Sequence, residues 1–296
     1  MNEEHYRQPG GYPPGCLILW TSSERSVPCM NRDRLETGWY AVRPFLYYIV
    51  LFITIREILF RLAETLLIAN SADMTAYYDL WNDLAAIAIV GIAAACAAVP
   101  ILKEAKREIM ITRTVCMRAW ITKRRDSAVL LGMLPFGTIC LSAFLNLLLG
   151  GNTDAASVHL NNAALPLAAA VYGLLTPFIE EIVYRGLVWH RLRRSFSPLS
   201  AAFLSSLLFG AAHGNLRQGI YAFVMGMVFA LGYEVTRRFE VPFLLHCTCN
   251  LAVLAASTAG WGDVLDSPMW ILFFAAGSLF VFGYWGMRLH QTYYKL

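Results

Sequence analysis

Two adjacent carboxylates and an arginine interrupt an otherwise apolar stretch of this chain. Glu180, Glu181 and Arg185 lie within the run from 163 to 188. A charged side chain at the centre of a bilayer costs about 2.5–3.5 kcal/mol even on lenient insertion scales. Ionisable residues in such a segment therefore predict a functional site.

Three more polar side chains lie in later apolar runs, at depths that agree with the depth of Glu180. At 1.5 Å per helical residue, Glu180 lies about 16–21 Å from the basic residues that end its own run. His213 lies about 24 Å from the start of its run, and His246 and Asn250 lie about 12 and 18 Å beyond the basic residues that precede theirs. The four side chains therefore fall in one layer and can share a site.

Spacing within the acidic run predicts different tasks for the two carboxylates. Glu181 and Arg185 are four residues apart with the acid first, which is the favourable order for an ion pair on a helix. Such a pair neutralises Glu181, whereas Glu180 is turned by about 100° and stays available for chemistry. Pro177 lies one turn earlier, where it removes a backbone hydrogen bond and is expected to kink the helix.

The later polar residues occur in helical pairs as well. Phe209 and His213 are four residues apart, as are His246 and Asn250, so that each pair shares one helix face. Taken alone, a histidine or asparagine of a membrane helix is more often a hydrogen-bonded structural residue than a catalyst. Phe209 is explained more simply by packing against a neighbouring helix than by contact with a substrate. The conjunction of these groups at one depth is what favours a catalytic site.

Together these groups could hydrolyse an amide bond without a serine or cysteine nucleophile. A carboxylate in a dehydrated pocket can act as a general base on water, and a neighbouring imidazole can share the proton or deliver it to the leaving amine. A second imidazole and an asparagine amide can donate to the developing oxyanion, which contributes about 3–4 kcal/mol in measured enzymes. The same groups could instead hold a catalytic zinc ion. The residues alone leave the use of a metal open.

The elements that position these residues are predicted to be membrane helices. Hydrophobic residues make up 57% of the 296 residues and charged residues only 15%, against about 25% charged residues in soluble domains. A bilayer core of about 30 Å requires roughly 20 apolar residues per helix. We therefore predict an all-α, polytopic membrane helix bundle. Its eight predicted transmembrane spans are 43–68, 83–102, 127–149, 163–189, 198–213, 217–235, 241–259 and 268–288.

The distribution of basic residues predicts the orientation of this bundle. The segment 103–126 holds eight Lys and Arg residues against three acidic ones, and we expect it to be a cytosolic loop that contacts anionic headgroups or docks a partner. The alternate loops lack this bias. The N- and C-termini are therefore both expected in the cytosol. Residues 1–38 are expected to form a weakly structured tail before a single transmembrane domain, 39–296.

The first predicted span contains a second ionisable set. Its charges are three or four residues apart and can pair with one another along the helix. We expect an interior-facing structural ladder; the alternative is that this face lines the cavity and reads the backbone or the C-terminal carboxylate of a substrate. The set consists of Arg56, Glu57, Arg61 and Glu64.

Three motifs, in order on successive apolar spans, resemble those of one intramembrane protease family. It is the CPBP (Abi) family of type II CAAX prenyl endopeptidases and bacteriocin-processing enzymes. The resemblance covers about residues 163–256. The motifs are Glu180-Glu181-x-x-x-Arg185, Phe209-x-x-x-His213 and His246-x-x-x-Asn250.

The resemblance implies an eight-helix bundle whose cavity opens toward the cytosolic side, with a catalytic core at 163–256. It implies that Glu180 activates a water molecule together with His213, without a metal. It further implies that His246 and Asn250 form the oxyanion site. The supporting residues would be Glu181, Arg185 and Phe209.

We therefore predict an integral, multi-pass membrane endopeptidase, located in the cell membrane if the host is prokaryotic. Its substrate is expected to be a membrane-associated peptide or protein that is lipidated or hydrophobic. The lipid bilayer is the other expected partner, and no nucleic acid is expected. No cofactor is expected, although the alternative mechanism would require zinc. The alternative function is a non-catalytic membrane scaffold or bacteriocin self-immunity protein that retains the protease fold.

Overall fold

The computed structural model describes residues 33–69, 75–120, 124–149, 162–236, 238–259 and 267–294. Over these residues it contains eight helices and no strand, which confirms the all-α prediction. A 3₁₀ turn, Asn162–Ala164, leads into the fourth helix. The helices are α1 Asp33–Ala69, α2 Thr75–Trp120, α3 Arg124–Leu148, α4 Leu165–Leu192, α5 Pro198–Ala211, α6 Leu216–Thr236, α7 Glu240–Thr258 and α8 Pro268–Tyr294.

Each of the eight predicted spans falls on a different helix, although the first one, on α1, is not among the apolar stretches that follow. Four stretches of the described helices are long and apolar enough to cross a membrane: Asp83–Arg107 within α2, the whole of α4, Leu216–Glu234 within α6, and the whole of α7. Shorter apolar helical stretches lie in α3, α5 and α8. The chain is an integral, multi-pass membrane protein, and in lipid a helix is suitable because it satisfies its own backbone groups. The orientation of the bundle stays a prediction.

The basic segment 103–126 is not the expected loop. Residues 103–120 continue α2 as a helix, and α3 begins as early as Arg124. Hydropathy marks only the part of a helix that suits lipid, whereas Ala, Glu, Lys and Arg have high helix propensity and extend it beyond that part. At the other end of the chain, residues 33–38 of the predicted tail belong to α1. Residues 1–32 lie outside the described residues, so the tail itself stays a prediction.

α4 lies at the centre of the bundle, where it packs against α1, α2, α5 and α7. Its residues 181–189 are all buried. A helix that is apolar around its whole circumference is expected to be surrounded by protein. The large side chains of this half, Tyr184, Leu187 and Trp189, form one core cluster with residues of α1 and α2. The acidic motif is thus held by the most enclosed helix of the protein.

α5 and α6 form a hairpin whose backbones touch. The turn between them contains Gly214 at φ +77°, a conformation that glycine adopts without strain. Asn215 caps α6, because its Oδ1 accepts from the Gln218 N–H at 2.8 Å. A Cβ on Gly210 would lie 2.6 Å from the carbonyl oxygen of Gly219, so no side chain fits at this crossing. The close approach fixes the end of α5 that carries the second motif.

The ionisable set of α1 forms its expected pairs, but on the outer side of the helix. Arg61 Nε donates to Glu57 at 3.0 Å, and Arg61 Nη1 lies 3.6 Å from Glu64. The Arg61 and Glu64 side chains are 74% and 60% exposed, so these pairs do not form the expected interior-facing ladder. Arg56 is only partly exposed and its Nε is buried, so the alternative of a cavity lining stays a prediction for this residue. Position along the helix accounts for the exposure of Arg61 and Glu64. Arg61 lies about 31 Å beyond Tyr40, a full hydrocarbon thickness from the contact of Tyr40 with the end of α4.

Candidate active site

The two carboxylates stand on a short α-helical segment between two π-helical stretches of α4. The helix is π-helical over Ala169–Leu175 and Ile182–Trp189, and α-helical over Thr176–Glu181. The Thr176 N–H bonds to the carbonyl five residues earlier, as in a π-helix. Pro177 follows at once and has no N–H to continue that pattern. The expected kink at Pro177 stays a prediction. The helix changes type at this residue, and such changes frequently occur at functional sites.

Glu181 is fully buried and is paired with Arg185. Arg185 Nη1 donates to Glu181 Oε1 at 2.9 Å, and Nη2 donates to the Gly226 carbonyl of α6, also at 2.9 Å. The guanidinium lies over the rings of Phe209 and Phe229, with centroid distances of 5.0 and 5.4 Å. The i,i+4 ion pair expected from the sequence is present, and it connects α4 to α5 and α6.

His246 of α7 lies between the two carboxylates. Its Nδ1 is 2.9 Å from Glu181 Oε1, and its Nε2 is 3.6 Å from Glu180 Oε2. Phe229 stacks on the imidazole at 4.9 Å, and Phe209 meets it edge-on at 5.6 Å. The stacking of Phe229, the edge contact of Phe209 and the bond at Nδ1 together fix the direction of Nε2, which is toward Glu180.

These contacts determine where the proton of His246 lies. Glu181 Oε1 already accepts from Arg185, so it is a carboxylate oxygen that accepts a second bond from the Nδ1–H of His246. Nε2 of the neutral ring is then an acceptor, and it faces a second acceptor, Glu180 Oε2. Two acceptors 3.6 Å apart repel each other unless one of them carries a proton. The Glu180–His246 pair can therefore take up one proton and return it.

His213 presents a free ring nitrogen near Glu180. Its Nδ1 is 2.8 Å from the Phe209 carbonyl, and since a carbonyl only accepts, Nδ1 carries the proton. Nε2 is then an acceptor with its lone pair available. The ring packs edge-on against Phe209 at 4.9 Å and lies within electrostatic range of the Glu180 carboxylate. His213 is thus suited to orient a water molecule beside that carboxylate.

Asn250 holds α7 against α4. Its Nδ2 donates to the carbonyl of Tyr172 at 2.8 Å. Tyr172 belongs to the π-helical stretch Ala169–Leu175, in which the usual pattern of backbone bonds is interrupted. An amide group has two N–H bonds, so one of them remains for another acceptor.

The structure brings most of the predicted site residues together. Glu180, Glu181, Arg185 and His246 form one contact network around the ring of Phe209, with His213 close to it. Asn250 lies one turn farther along α7, where its contact is with a backbone carbonyl. The catalytic roles of these residues stay predictions.

Sequence reasoning missed the groups that hold this network in place. Phe229 stacks on His246, Gly226 accepts from Arg185, and Tyr172 accepts from Asn250. Two of these three contacts use backbone carbonyls, which leave no trace in residue type. From the sequence, only the spacing of Phe229, one turn after Gly226 on α6, could have indicated that this face of α6 packs against the site.

The carboxylate of Glu180 and the imidazoles of His213 and His246 are donor types that bind zinc, but in this conformation they are not gathered around one point. Among the described residues, no three or more His, Cys, Asp or Glu side chains are grouped so as to hold a metal. Nδ1 of His246 and Nδ1 of His213 both make hydrogen bonds, so Nε2 is the nitrogen that each ring could offer to a metal. Zinc ligands lie at 2.0–2.2 Å from the ion, and Glu180 with the two Nε2 atoms would have to converge that closely. A hydrolysis that uses Glu180 without a metal stays a prediction.

A family comparison matches the part of the chain that carries all three motifs. Residues 162–252 match the family model described as Type II CAAX prenyl endopeptidase Rce1-like. The segment runs from the start of α4 into α7 and includes the hairpin of α5 and α6. The match confirms the family resemblance that the motifs predicted.

Two curated proteins are similar to parts of the chain. One is YdiL of Bacillus subtilis (strain 168), provisionally assigned as a membrane peptidase; it is 28% identical over 118 residues, or 40% of this chain and 48% of YdiL. The other is the membrane-embedded CAAX protease MroQ of Staphylococcus aureus (strain USA300), 29% identical over 92 residues, or 29% of this chain and 37% of MroQ. The matches thus span half or less of each relative. No solved structure matches the chain significantly.

Proposed function

We propose that this chain, which carries the signature segment of the CAAX protease family, is a membrane-embedded endopeptidase whose catalytic base is Glu180. The observation that supports this most strongly is the position of Glu180 Oε2, 3.6 Å from a histidine nitrogen whose direction is fixed by Glu181. A carboxylate coupled to an oriented imidazole is suited to move a proton from water to a leaving amine.

The proposed reaction begins with water held between Glu180 and His213. Glu180, together with Nε2 of His246, takes one proton from the water, and the oxygen attacks the scissile carbonyl carbon. Nε2 of His213 accepts a hydrogen bond from the other water hydrogen and thereby orients the nucleophile. When the C–N bond breaks, the stored proton passes to the leaving nitrogen. The products are a carboxylic acid and an amine.

The tetrahedral intermediate requires hydrogen-bond donors near its oxyanion. His246 can donate from Nε2 only while it carries the transferred proton, because its other proton is bound to Glu181. Asn250 can donate with the N–H that is not bonded to Tyr172. Arg185 and Phe209 act indirectly, since they hold Glu181 and the His246 ring.

The substrate is proposed to be a lipidated or hydrophobic peptide, or the membrane-associated end of a protein. Glu180 lies about 16 Å along α4 from Arg191, within a helix that is long and apolar enough to cross a membrane. An apolar or prenylated segment reaches this depth without the desolvation penalty of a polar peptide. The name of MroQ as a CAAX protease supports the same class of substrate for this chain.

Cleavage of fluorogenic peptides tests the proposal. The purified full chain, in micelles and in liposomes, is incubated with peptides that have hydrophobic or prenylated C-termini. Glu180→Gln is expected to lower the turnover at least 10²–10⁴-fold, roughly the contribution of a general base, while a strong chelator leaves the wild type active. Glu64→Gln is the matched control, because it removes an exposed carboxylate of α1.

Other outcomes distinguish the alternatives. Loss of wild-type activity on chelation would replace the glutamate mechanism with a zinc mechanism. A well-folded wild type that cuts none of the peptides, in micelles or liposomes, would favour the non-catalytic scaffold or self-immunity function.

A further inference from the structure

Helix α1 lies outside the segment 162–252 that matches the protease family, yet one of its side chains faces the candidate site. Tyr48 is only 4% exposed, and its ring stacks on Phe52 at 5.9 Å. It belongs to the same core cluster as Tyr184 and Phe209, which surround the acidic motif. Its position relative to Glu180 follows from the register of α1 against α4.

Two contacts define that register. Arg191, near the end of α4, donates to the Tyr40 carbonyl at 2.7 Å and lies 4.0 Å over the Tyr40 ring. Farther along α1, the ring of Phe45 lies 5.7 Å from the ring of Tyr184. Residue numbers rise on α1 as they fall on α4, so the two helices are antiparallel.

The next step of this register places Tyr48 opposite Glu180. Tyr48 follows Phe45 by three residues and Glu180 precedes Tyr184 by four, which correspond to about 4.5 and 6 Å along the helix axes. Steps of three and four residues keep the same helix face. In agreement with this placement, Glu180 interacts electrostatically with the hydroxyls of both Tyr48 and Tyr184.

The structure shows no hydrogen bond from the Tyr48 hydroxyl to a described residue, and its oxygen is not among the fully enclosed polar atoms that lack a partner. A buried tyrosine hydroxyl usually has one. Tyr221, a partly buried tyrosine elsewhere in the bundle, is an example, because its hydroxyl lies 2.7 Å from Ser142 Oγ. A hydroxyl that faces a carboxylate, is bonded to no described residue and is not fully enclosed is available for a bound water or for a substrate.

The donors predicted for the oxyanion site are largely engaged in this structure. The Nδ1–H of His246 is directed at Glu181, and one amide N–H of Asn250 is directed at Tyr172. Each unmet donor contact to an oxyanion is worth about 10²–10³-fold in turnover. A tyrosine O–H is a neutral donor that stabilises an oxyanion well in a dehydrated pocket.

We propose that Tyr48 donates a hydrogen bond to the scissile carbonyl oxygen of the substrate as that oxygen becomes an oxyanion. The inference rests on the proposed function and adds α1 to the catalytic site. As the water oxygen adds to the carbonyl carbon, the π electrons move to the carbonyl oxygen, and the phenol proton stays on Tyr48 throughout. When the C–N bond breaks, the carbonyl double bond re-forms and the hydrogen bond weakens.

Tyr48→Phe tests this proposal, because it removes one oxygen and keeps the ring that packs on Phe52. The kcat of peptide cleavage is expected to fall about 10²–10³-fold with little change in KM. A peptide phosphonate, which mimics the tetrahedral oxyanion and needs no turnover to be measured, is expected to lose a similar factor in affinity. Tyr221→Phe is the matched control and is expected to keep both kcat and phosphonate affinity.

Two results would overturn the proposal. One is a Tyr48→Phe protein with wild-type kcat and wild-type phosphonate affinity. The other is a shifted pH profile of kcat with unchanged phosphonate affinity, since the hydroxyl would then act on Glu180 and not on the substrate. The unfolding midpoint of each variant shows that it is folded. If the wild type, measured alongside, cuts no peptide, the proposed function itself is refuted. Both results above require an active wild type, so the two failures are distinguishable.

Discussion

The buried carboxylate of Glu181 lies behind the imidazole of His246, and the more accessible carboxylate of Glu180 lies in front of it. Glu181 Oε1 is 2.9 Å from Nδ1, whereas Glu180 Oε2 is 3.6 Å from Nε2. Only Glu180 therefore has room for a water molecule, while Glu181 fixes the tautomer and the direction of the ring. Adjacent residues of identical chemistry have different tasks because they lie on different sides of one histidine.

The first prediction concerns Glu181 as a positioning residue. In Glu181→Gln the side chain keeps its size but can no longer accept from both His246 and Arg185 as an anion. We expect kcat to fall about 10–100-fold or more with KM nearly unchanged, as for other groups that orient a catalytic histidine. Steady-state peptide cleavage measures it, with Glu64→Gln as the control. Wild-type kcat in Glu181→Gln would refute the orienting role.

The second prediction concerns the buried ion pair of α4. Arg185→Met leaves Glu181 charged, buried and without its main partner, and it also frees the Gly226 carbonyl. The free energy of unfolding is expected to fall by about 3–5 kcal/mol. In the control, Arg61→Met removes an exposed partner of Glu57, and the loss should be below about 1 kcal/mol. Unfolding in mixed micelles measures the loss of unfolding free energy in each variant. Equal losses in Arg185→Met and Arg61→Met would contradict the prediction.

The third prediction concerns the crossing of α5 and α6. Gly210→Ala places a Cβ where the structure has the Gly219 carbonyl, so the two backbones must separate. Such overpacking is expected to cost about 1–3 kcal/mol of unfolding free energy, and to lower cleavage because His213 moves with α5. Gly283→Ala is the control on α8, since its Cβ would meet open space. A Gly210→Ala protein as stable as Gly283→Ala would show that the crossing can relax.

The fourth prediction separates the two tasks of Asn250. Asn250→Ala removes the bond to the Tyr172 carbonyl, which in membrane proteins is worth about 0.6–1.7 kcal/mol. If the second N–H also meets the oxyanion, kcat should fall in addition by at least about tenfold. Asn146→Ala is the control, because its Nδ2 also donates to a backbone carbonyl, that of Ser142, but within its own helix and away from the site. A loss of stability with unchanged kcat in both variants would restrict Asn250 to a structural role.

The positions of the helices could be predicted because the ends of the apolar runs are marked by basic residues, prolines and glycines. The predicted span 241–259 differs from α7, Glu240–Thr258, by one residue at each end. The predicted span 83–102 covers only part of the long α2. The part of the helix beyond residue 102 is charged, so hydropathy does not detect it, although its residues have high helix propensity. Hydropathy locates the lipid-compatible part of a helix but does not predict where the rest of the helix begins or ends.

The contacts of the candidate site were only partly accessible from the sequence. The Glu181–Arg185 pair follows from spacing within one helix. The position of His246 between both carboxylates depends on the rotation of α7 against α4, which no spacing determines. The register that places Tyr48 opposite Glu180 likewise arises from the packing of α1, and a single tyrosine in an apolar run carries no signal of its own.

The π-helical stretches on both sides of the acidic segment make the length of α4 locally adjustable. A π-helical turn accommodates an additional residue while the helix continues beyond it. In a regular α-helix, one residue gained or lost would turn everything that follows by about 100°. Around Thr176–Glu181 the change can be absorbed within Ala169–Leu175 or Ile182–Trp189, so the carboxylates keep their direction. Chains of this kind can thus differ by one residue inside an unbroken membrane helix, and an alignment that forbids gaps there would misplace the acids.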